Sequence, residues 1–484
     1  MNLQSIIAKL KLITVEPILF LYMMIIFMES NALQELIYIK SCIMLKNPVN
    51  ISECSYALKA NQTDATNLAT TWSKYTDMCL FIFTFITTFY VGSWSDRLGR
   101  KLPMLIPPIG TVIAACINAV LSYFIRIHMA YFFISSFISG VTFGTVGIIA
   151  TTYGYISDFT LEQSRTKRII ILESMIFIGG TVGIKTAGLF LKHVHYEWEL
   201  NNFVMLFIFE AIISAGIAIY IIFRIPSYSS DSQSLYGPLS WSSLFSLRHV
   251  GDSLKTVFRF REEGKRAKII LMLIALSLTY MGSVVQLTLS YYFLRTINWN
   301  FDEYTNFHSI QFAVEGLALI CIYPLLHRFP RVPDHCIGML GLFSRFTGLV
   351  VFGLSALSTN HDYMVYSCII LYMFSEFPVP ALRSILSKTV ASDERGRIFA
   401  FTTVLQNICF LLGSFSLMTV FTETSFHGLS FEVAAGLQGI AFVIMLYLYL
   451  TRSTYITAYE TIEHEDGSVS EICSVAASTG SVNS

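Results

Sequence analysis

The chain has 484 residues, 54% of them hydrophobic and 13% charged, with 32 basic side chains balanced by 32 acidic ones. A soluble protein of this size carries about a quarter charged residues, so the composition excludes an ordinary soluble domain. Zero net charge gives no reason to expect a nucleic-acid partner. The nine cysteines are scattered without a C-x-x-C pair, which indicates neither a metal site nor a redox motif, and no cofactor is expected.

The apolar runs are near twenty residues long, which suits helices that cross a bilayer and not barrel strands of about ten. Twelve spans are predicted over 13–37, 76–94, 103–125, 129–156, 169–192, 201–223, 268–294, 305–327, 335–357, 362–381, 397–421 and 430–451. Lys9 and Lys11 precede the first, which lacks a small-residue cleavage site and so reads as a retained span and not as a leader. The longest polar stretch, 224–267, follows span six, with Pro226 and Pro238 early and a basic run from Arg259 to Arg266 late. It divides the chain into an N-terminal six-helix half (1–223), a central loop (224–267) and a C-terminal half (268–451), followed by a tail (452–484). The tail is acidic and then rich in Ser, Gly and Val, a composition that reads as disordered. Its Tyr459-Glu-Thr-Ile462 fits a short sorting signal for endosomes or lysosomes.

Lys and Arg set the topology. With both termini cytoplasmic, the inner segments hold 23 of the 32 basic residues and the outer loops seven. Loop 1 (38–75) would then face outward, where its two sequons, Asn50-Ile-Ser52 and Asn61-Gln-Thr63, are open to glycosylation. Cys42 and Cys54 lie in the same loop and either pair in an oxidising compartment or stay free thiols.

Between spans two and three stands Gly92-Ser-Trp-Ser-Asp96-Arg97-Leu-Gly99-Arg100-Lys101. Two glycines permit a tight turn, Asp96 can accept hydrogen bonds at a helix end, and three bases hold the loop in the cytoplasm. The pattern resembles the loop 2–3 motif of the major facilitator superfamily. Asp158 with Arg165, Lys167 and Arg168 after span four, and Asp393-Glu-Arg-Gly-Arg397 after span ten, echo each other in the two halves, as expected of a carrier that rocks two repeats around a central site.

Ionisable residues inside spans default to functional candidates. Here they are Glu29, Glu173, Lys185, Glu210, Glu315, Arg345, Glu376 and Arg383. Glu173 is a candidate proton carrier, because a buried carboxyl can take up a proton near neutral pH; pairing with Arg165 or Arg168 is the plainer alternative. Lys185 lies twelve residues further on, about 18 Å along the helix, too far to pair with Glu173. Arg345 either meets an anionic substrate or neutralises Glu315. Arg383 follows Pro378 and Pro380, which break the helix beside a cation; it reads as a substrate or gating residue or as an anchor at the inner face. Arg383, Glu29, Arg345, Lys185 and Glu315 form the candidate substrate and gating set.

Further stretches carry a closer likeness. Val15-Glu16-Pro17, the Gly92–Lys101 motif, Asp158 with Arg165-Thr-x-Arg168 and Glu173, Leu382-Arg383-Ser-x-Leu-Ser-Lys388, the sequon before Cys54 and Asn298-Trp299 resemble the proton-coupled folate transporter family, solute carrier family 46. The likeness covers most of the chain outside the tail and leans to lysosomal and insect-type branches. It implies an all-α membrane protein with twelve helices, alternating access, and anionic substrates such as folates, haem, muropeptides or cyclic dinucleotides moved with protons. It also implies a coupling role for Glu173 and a substrate and proton role for Arg383, structural roles for Asp96, Arg100 and Asp158, and a match of His249 to a central-loop histidine. The membrane would be the plasma membrane or that of endosomes or lysosomes.

The chain departs from the folate carrier at three places. Tyr280-Met281-Gly282 replaces a span-seven histidine. Asn298 stands where the carrier has the partner of its loop-1 cysteine, which leaves Cys42 for Cys54. Glu29 and Asn31 stand in a stretch of span one that the family keeps uncharged, which argues against folate as substrate. The expected function is secondary active transport of a small organic anion; a transporter-like receptor without net flux is the alternative, its long central loop and acidic tail being available to signalling partners. No H-E-x-x-H or G-x-S-x-G pattern points to an enzyme.

Overall fold

With no water to satisfy backbone groups in hydrocarbon, each apolar run must close its hydrogen bonds internally, and the runs do so as helices. The computed structural model describes residues 14–46, 54, 62–159, 162–192, 199–226, 258–259, 265–328, 332–390 and 394–451. Among these residues ten helices are long and apolar enough to cross a membrane, and no strand occurs.

The N-terminal half contains α1 (Glu16–Lys46), α2 (Gln62–Leu98), α3 (Lys101–Tyr123), α4 (Phe132–Val141), α5 (Gly144–Phe159), α6 (Glu162–Lys192) and α7 (Glu199–Arg224). The C-terminal half contains α8 (Lys265–Thr288), α9 (Ser290–Thr296), α10 (Phe301–Leu317), α11 (Tyr323–Arg328), α12 (Asp334–Leu354), α13 (His361–Leu371), α14 (Pro378–Thr389), α15 (Arg395–Glu423) and a last helix over 429–451, here α16. The halves meet along two seams, α2 against α15 and α6 against α10.

Several boundaries differ from the sequence reading. α1 runs to Lys46 and α2 starts at Gln62, so Lys40, Cys42 and Lys74 stand on helices and not in a loop. Lys40 is buried and caps the end of α3, its Nζ donating to the carbonyls of Phe124, Ile125 and Ile127 at 3.3, 3.1 and 3.3 Å. Arg295, read as a loop residue, is buried on α9. A disulfide joins Cys42 to Cys54. Asn50, Asn61, His249, Asp393 and the tail lie outside the described residues.

Two spans are broken, and they hold corresponding places in the halves. Span four changes direction between α4 and α5, where Phe143 and Gly144 take φ of 72° and 49°; a positive φ at phenylalanine is a strained conformation. Span ten, expected as one helix over 362–381, is interrupted at 372–377, just before Pro378, which cannot donate to the preceding turn. Ser344 of α12 supports the break: its Oγ donates to the Leu371 carbonyl and accepts from the Phe374 amide at 3.2 Å.

Close packing of α1 on α6 rests on Gly179-x-x-x-Gly183. A Cβ at Gly183 would overlap the Met24 backbone, and one at Gly179 would stand 2.5 Å from the Phe20 carbonyl oxygen. Small residues four apart let membrane helices approach at backbone distance. Gly183→Leu is therefore expected to cost about 1–3 kcal/mol through overpacking, seen as a lower midpoint of thermal unfolding in detergent; an unchanged midpoint would mean the two helices are free to separate.

Candidate functional site

The loop between α2 and α3 is built on its glycine. Gly99 has φ of 80°, which ends α2 in the left-handed region where a side chain is disfavoured. The chain then turns so that Arg100 Nε donates to Asp158 Oδ2 at 2.7 Å, linking the start of α3 to the end of α5. A Cβ at Gly154 would lie 3.0 Å from the Arg100 guanidinium carbon, so the glycine leaves the path for that side chain. Lys101 Nζ donates to the Ile222 carbonyl at 2.7 Å and caps the end of α7. Gly92, Asp96 and Arg97 fall within α2, their side chains outside the described set.

At the same end of the bundle Glu16 holds its own helix start, accepting from the Thr14 and Val15 amides at 2.8 and 3.1 Å. It also pairs with Arg168 of α6 at 2.7 Å. Lys388 pairs with Asp334 at 2.6 Å. These ion pairs each stay within one half.

The opposite end, toward Cys42–Cys54, is tied across the halves. Glu35 of α1 receives Arg295 Nη2 on both oxygens, at 2.7 and 2.8 Å, and the Tyr291 hydroxyl as well. Both charged side chains are nearly fully buried, at 5% and 6% exposure, and the guanidinium lies 4.6 Å over the Tyr38 ring. Ser73 of α2 bonds Tyr292 of α9 at 2.5 Å, and Gln34 donates to the Leu287 carbonyl at 3.1 Å. Along the seams, Lys185 bonds Asn306, Lys192 pairs with Asp302 at 3.2 Å, and Asp77 accepts from Ser414 at 3.3 Å.

Between the two ends the broken spans bring four side chains together. Glu173 of α6 faces the Tyr153 hydroxyl of α5 and lies within electrostatic reach of Arg383 of α14. Arg383 Nη2 donates to the Tyr280 hydroxyl of α8 at 3.0 Å, while its Nε has no partner. Glu173, Tyr153 and Arg383 are only partly buried. A cation with a free donor, a carboxyl and two phenols thus converge from both halves. Their chemistry suits an anion bound by Arg383 and a proton carried by Glu173.

The other candidates are placed elsewhere. Arg345 is 1% exposed and pairs with Glu376 in the break of span ten at 2.5 Å. Glu315, just before a π-helical turn at Ala318–Ile322, accepts from Gln286 and Gln311 at 2.8 and 3.0 Å. Glu29 accepts from Asn118 of α3 at 2.9 Å and faces Glu210 of α7. Thus Glu173 and Arg383 come together, Glu29 and Lys185 bond elsewhere, and Arg345 and Glu315 gather around Glu376, which lies within electrostatic reach of Glu173 and Tyr280. Sequence reasoning passed over Tyr153, Glu35 and Asp77. It noted Tyr280 only as a missing histidine. Glu35 and Asp77 were open to the same rule for charges in spans, but the two tyrosines looked like packing residues.

A bundle of two seamed helical halves, with paired broken spans and a charged centre, defines a membrane transporter rather than an enzyme. Residues 18–414 match the Major Facilitator Superfamily, and the chain belongs to it. Its relatives are those expected from the likeness to the folate transporter family. It is 25% identical over 460 residues to the lysosomal proton-coupled steroid conjugate and bile acid symporter of Gallus gallus, covering 91% of this chain and 95% of that one. It is 22% identical to the proton-coupled folate transporter of Rattus norvegicus (78% of each chain). It is 21% identical to a probable peptidoglycan muropeptide transporter of Drosophila melanogaster (77% and 72%). Among solved structures, the human organic anion transporter MFSD10 superposes with a TM-score of 0.61 at 14% identity, covering 89% of this chain and 98% of that one. A D-xylose–proton symporter gives 0.62 at 14% identity, covering 88% and 97%. These two share the fold.

Proposed function

We propose that this multi-pass membrane protein is a proton-coupled carrier of an organic anion, working by alternating access through twelve spans with both termini cytoplasmic. The twelve spans comprise the ten long apolar helices, α2, and the broken pair α13–α14. The halves would be residues 1–223 and 268–451, joined by the 224–267 loop and followed by a cytoplasmic tail. The observation that carries the reading is Arg383 reaching Tyr280 with its Nε free, opposite Glu173 and Tyr153. A guanidinium with an unpartnered donor in a low-dielectric interior favours an anion, and a neighbouring carboxyl supplies the site for the accompanying proton. The bridged end at Glu35–Arg295 is the outer gate in this reading, closed here while the motif end faces the cytoplasm.

The named relatives handle steroid conjugates, bile acids, folate and muropeptides. Amphipathic organic acids of that kind suit a centre of Tyr153, Tyr280 and Arg383, the phenols and the guanidinium meeting the acid group. The membrane is that of the cell surface, the endosome or the lysosome.

Coupling is tested by Glu173→Gln, which keeps shape and hydrogen bonding but cannot ionise. Uptake by the wild type is expected to rise as the donor side is acidified; in the variant it should be nearly flat with pH, with binding retained. A variant with the wild-type pH profile would remove Glu173 from the mechanism.

A further inference from the structure

Inside the N-terminal half, away from the Glu173–Arg383 site, two carboxyl groups face each other without a base. Glu29 of α1 and Glu210 of α7 lie within side-chain hydrogen-bonding reach of one another. Glu210 is fully buried, and both its oxygens lack a donor. Asn118 of α3, also fully buried, gives its amide N–H to Glu29 at 2.9 Å and leaves its own Oδ1 without a donor. The cluster therefore holds five acceptor oxygens and one donated N–H. Among the described residues neither carboxyl forms an ion pair. The titratable groups facing them are Tyr22 of α1 and Cys116 of α3. The other helices packed on α1, namely α2, α5 and α6, send no charged side chain to the pair among the described residues.

Two ionised carboxylates at this distance in a water-poor interior would repel each other with nothing to offset the loss of hydration. Each unsatisfied buried acceptor adds about 1–3 kcal/mol. One proton taken from water removes a charge and supplies the missing donor.

We propose that Glu29 and Glu210 form a proton-binding pair, a second protonation site of the N-terminal half that shares one proton between the two carboxyls. Glu29 is partly exposed and Glu210 is not, so Glu29 is the member through which the proton enters and leaves. The proposal extends the proton-coupled reading and rests on it for the site's part in transport; the binding of the proton itself does not depend on transport.

The test is pH-difference infrared spectroscopy of the purified, substrate-free full-length chain, read at the carboxylic C=O band, with thermal unfolding measured across the same pH range. The wild type is expected to show a protonated carboxyl at neutral pH. Glu29→Gln and Glu210→Gln should each lose that component, while Glu173→Gln keeps it. Because the folded pair binds a proton that the unfolded chain releases, wild-type stability should fall as pH rises above the ordinary carboxylate range and level off once the pair itself ionises, and Glu210→Gln should flatten that fall. A band unchanged in both Glu29→Gln and Glu210→Gln would overturn the proposal. So would a Glu210→Gln protein that cannot fold, since glutamine is the neutral counterpart of the protonated acid. A flat uptake profile in the wild type, by contrast, would sink the coupling reading and leave the infrared result standing.

Discussion

Arg383→Ala is expected to abolish measurable uptake at ordinary substrate concentrations while leaving the folded protein nearly as stable as wild type. Arg383 is only partly buried as a residue, and its guanidinium donates to one phenol at 3.0 Å and keeps a buried Nε without a partner. Little of its bonding is therefore spent on the fold, and a bound anion would take the rest. Removing one partner of a desolvated charge contact costs about 2–5 kcal/mol, which is at least about thirtyfold in apparent affinity. Arg383→Lys should not restore it, since an ammonium lacks the planar fork that reaches Tyr280 and a carboxylate together. Tyr280→Phe should cost less, about 0.5–1.5 kcal/mol for one hydrogen bond. Substrate binding by the purified variants, set beside their thermal midpoints, separates these outcomes. An Arg383→Ala protein that binds normally would displace the site from span ten.

Arg295→Ala carries the second large effect, and here the readout is stability. Glu35 and Arg295 are buried between α1 and α9 with two hydrogen bonds of 2.7 and 2.8 Å and a further bond from Tyr291. Deleting the guanidinium leaves a buried carboxylate uncompensated, which costs about 3–5 kcal/mol. The gated state loses that amount, so the thermal midpoint should drop and uptake should fail because the outer end no longer seals. Glu35→Gln combined with Arg295→Met removes both charges and should recover most of the stability, but uptake should stay impaired because the switchable contact is gone. If Arg295→Ala melts like wild type, the pair contributes nothing to the closed end.

Much of the architecture was legible in the sequence because membrane spans are set by one strong term, the cost of unsatisfied backbone in lipid. Gly99 was readable because a positive-φ turn is local, whereas Arg100 and Asp158 were singled out by the motif resemblance and their pairing across 58 residues is tertiary. The breaks were only half legible: Pro378 announces the one in span ten, whereas the one in span four is marked only by Gly144 beside Phe143. Glu35 lay inside the predicted first span and was simply passed over, whereas Arg295 was missed for a geometric reason. Spans were cut to the thickness of hydrocarbon, while α1 continues to Lys46 and the chain after α8 continues as α9, which draws a nominal loop arginine into the protein interior. The close approach at Gly179 and Gly183 was written in the sequence as a small-residue pair but becomes meaningful only once α1 is known to lie there. Tyr153 and Tyr280 could not be told from the many other aromatic residues of the spans, because what distinguishes them is the arginine and the carboxyl that tertiary structure brings alongside.

Movement of an organic anion together with a proton through the Glu173–Arg383 centre is directly measurable. The most direct measurement is uptake of a labelled bile acid or steroid conjugate by purified protein in sealed vesicles, with and without an imposed pH gradient, alongside direct recording of proton movement. Saturable uptake driven above equilibrium by the gradient is expected, abolished when the gradient is collapsed and accompanied by proton entry that is lost in Glu173→Gln. Saturable binding with no flux under either condition would contradict it and mark the protein as a receptor built on a transporter fold.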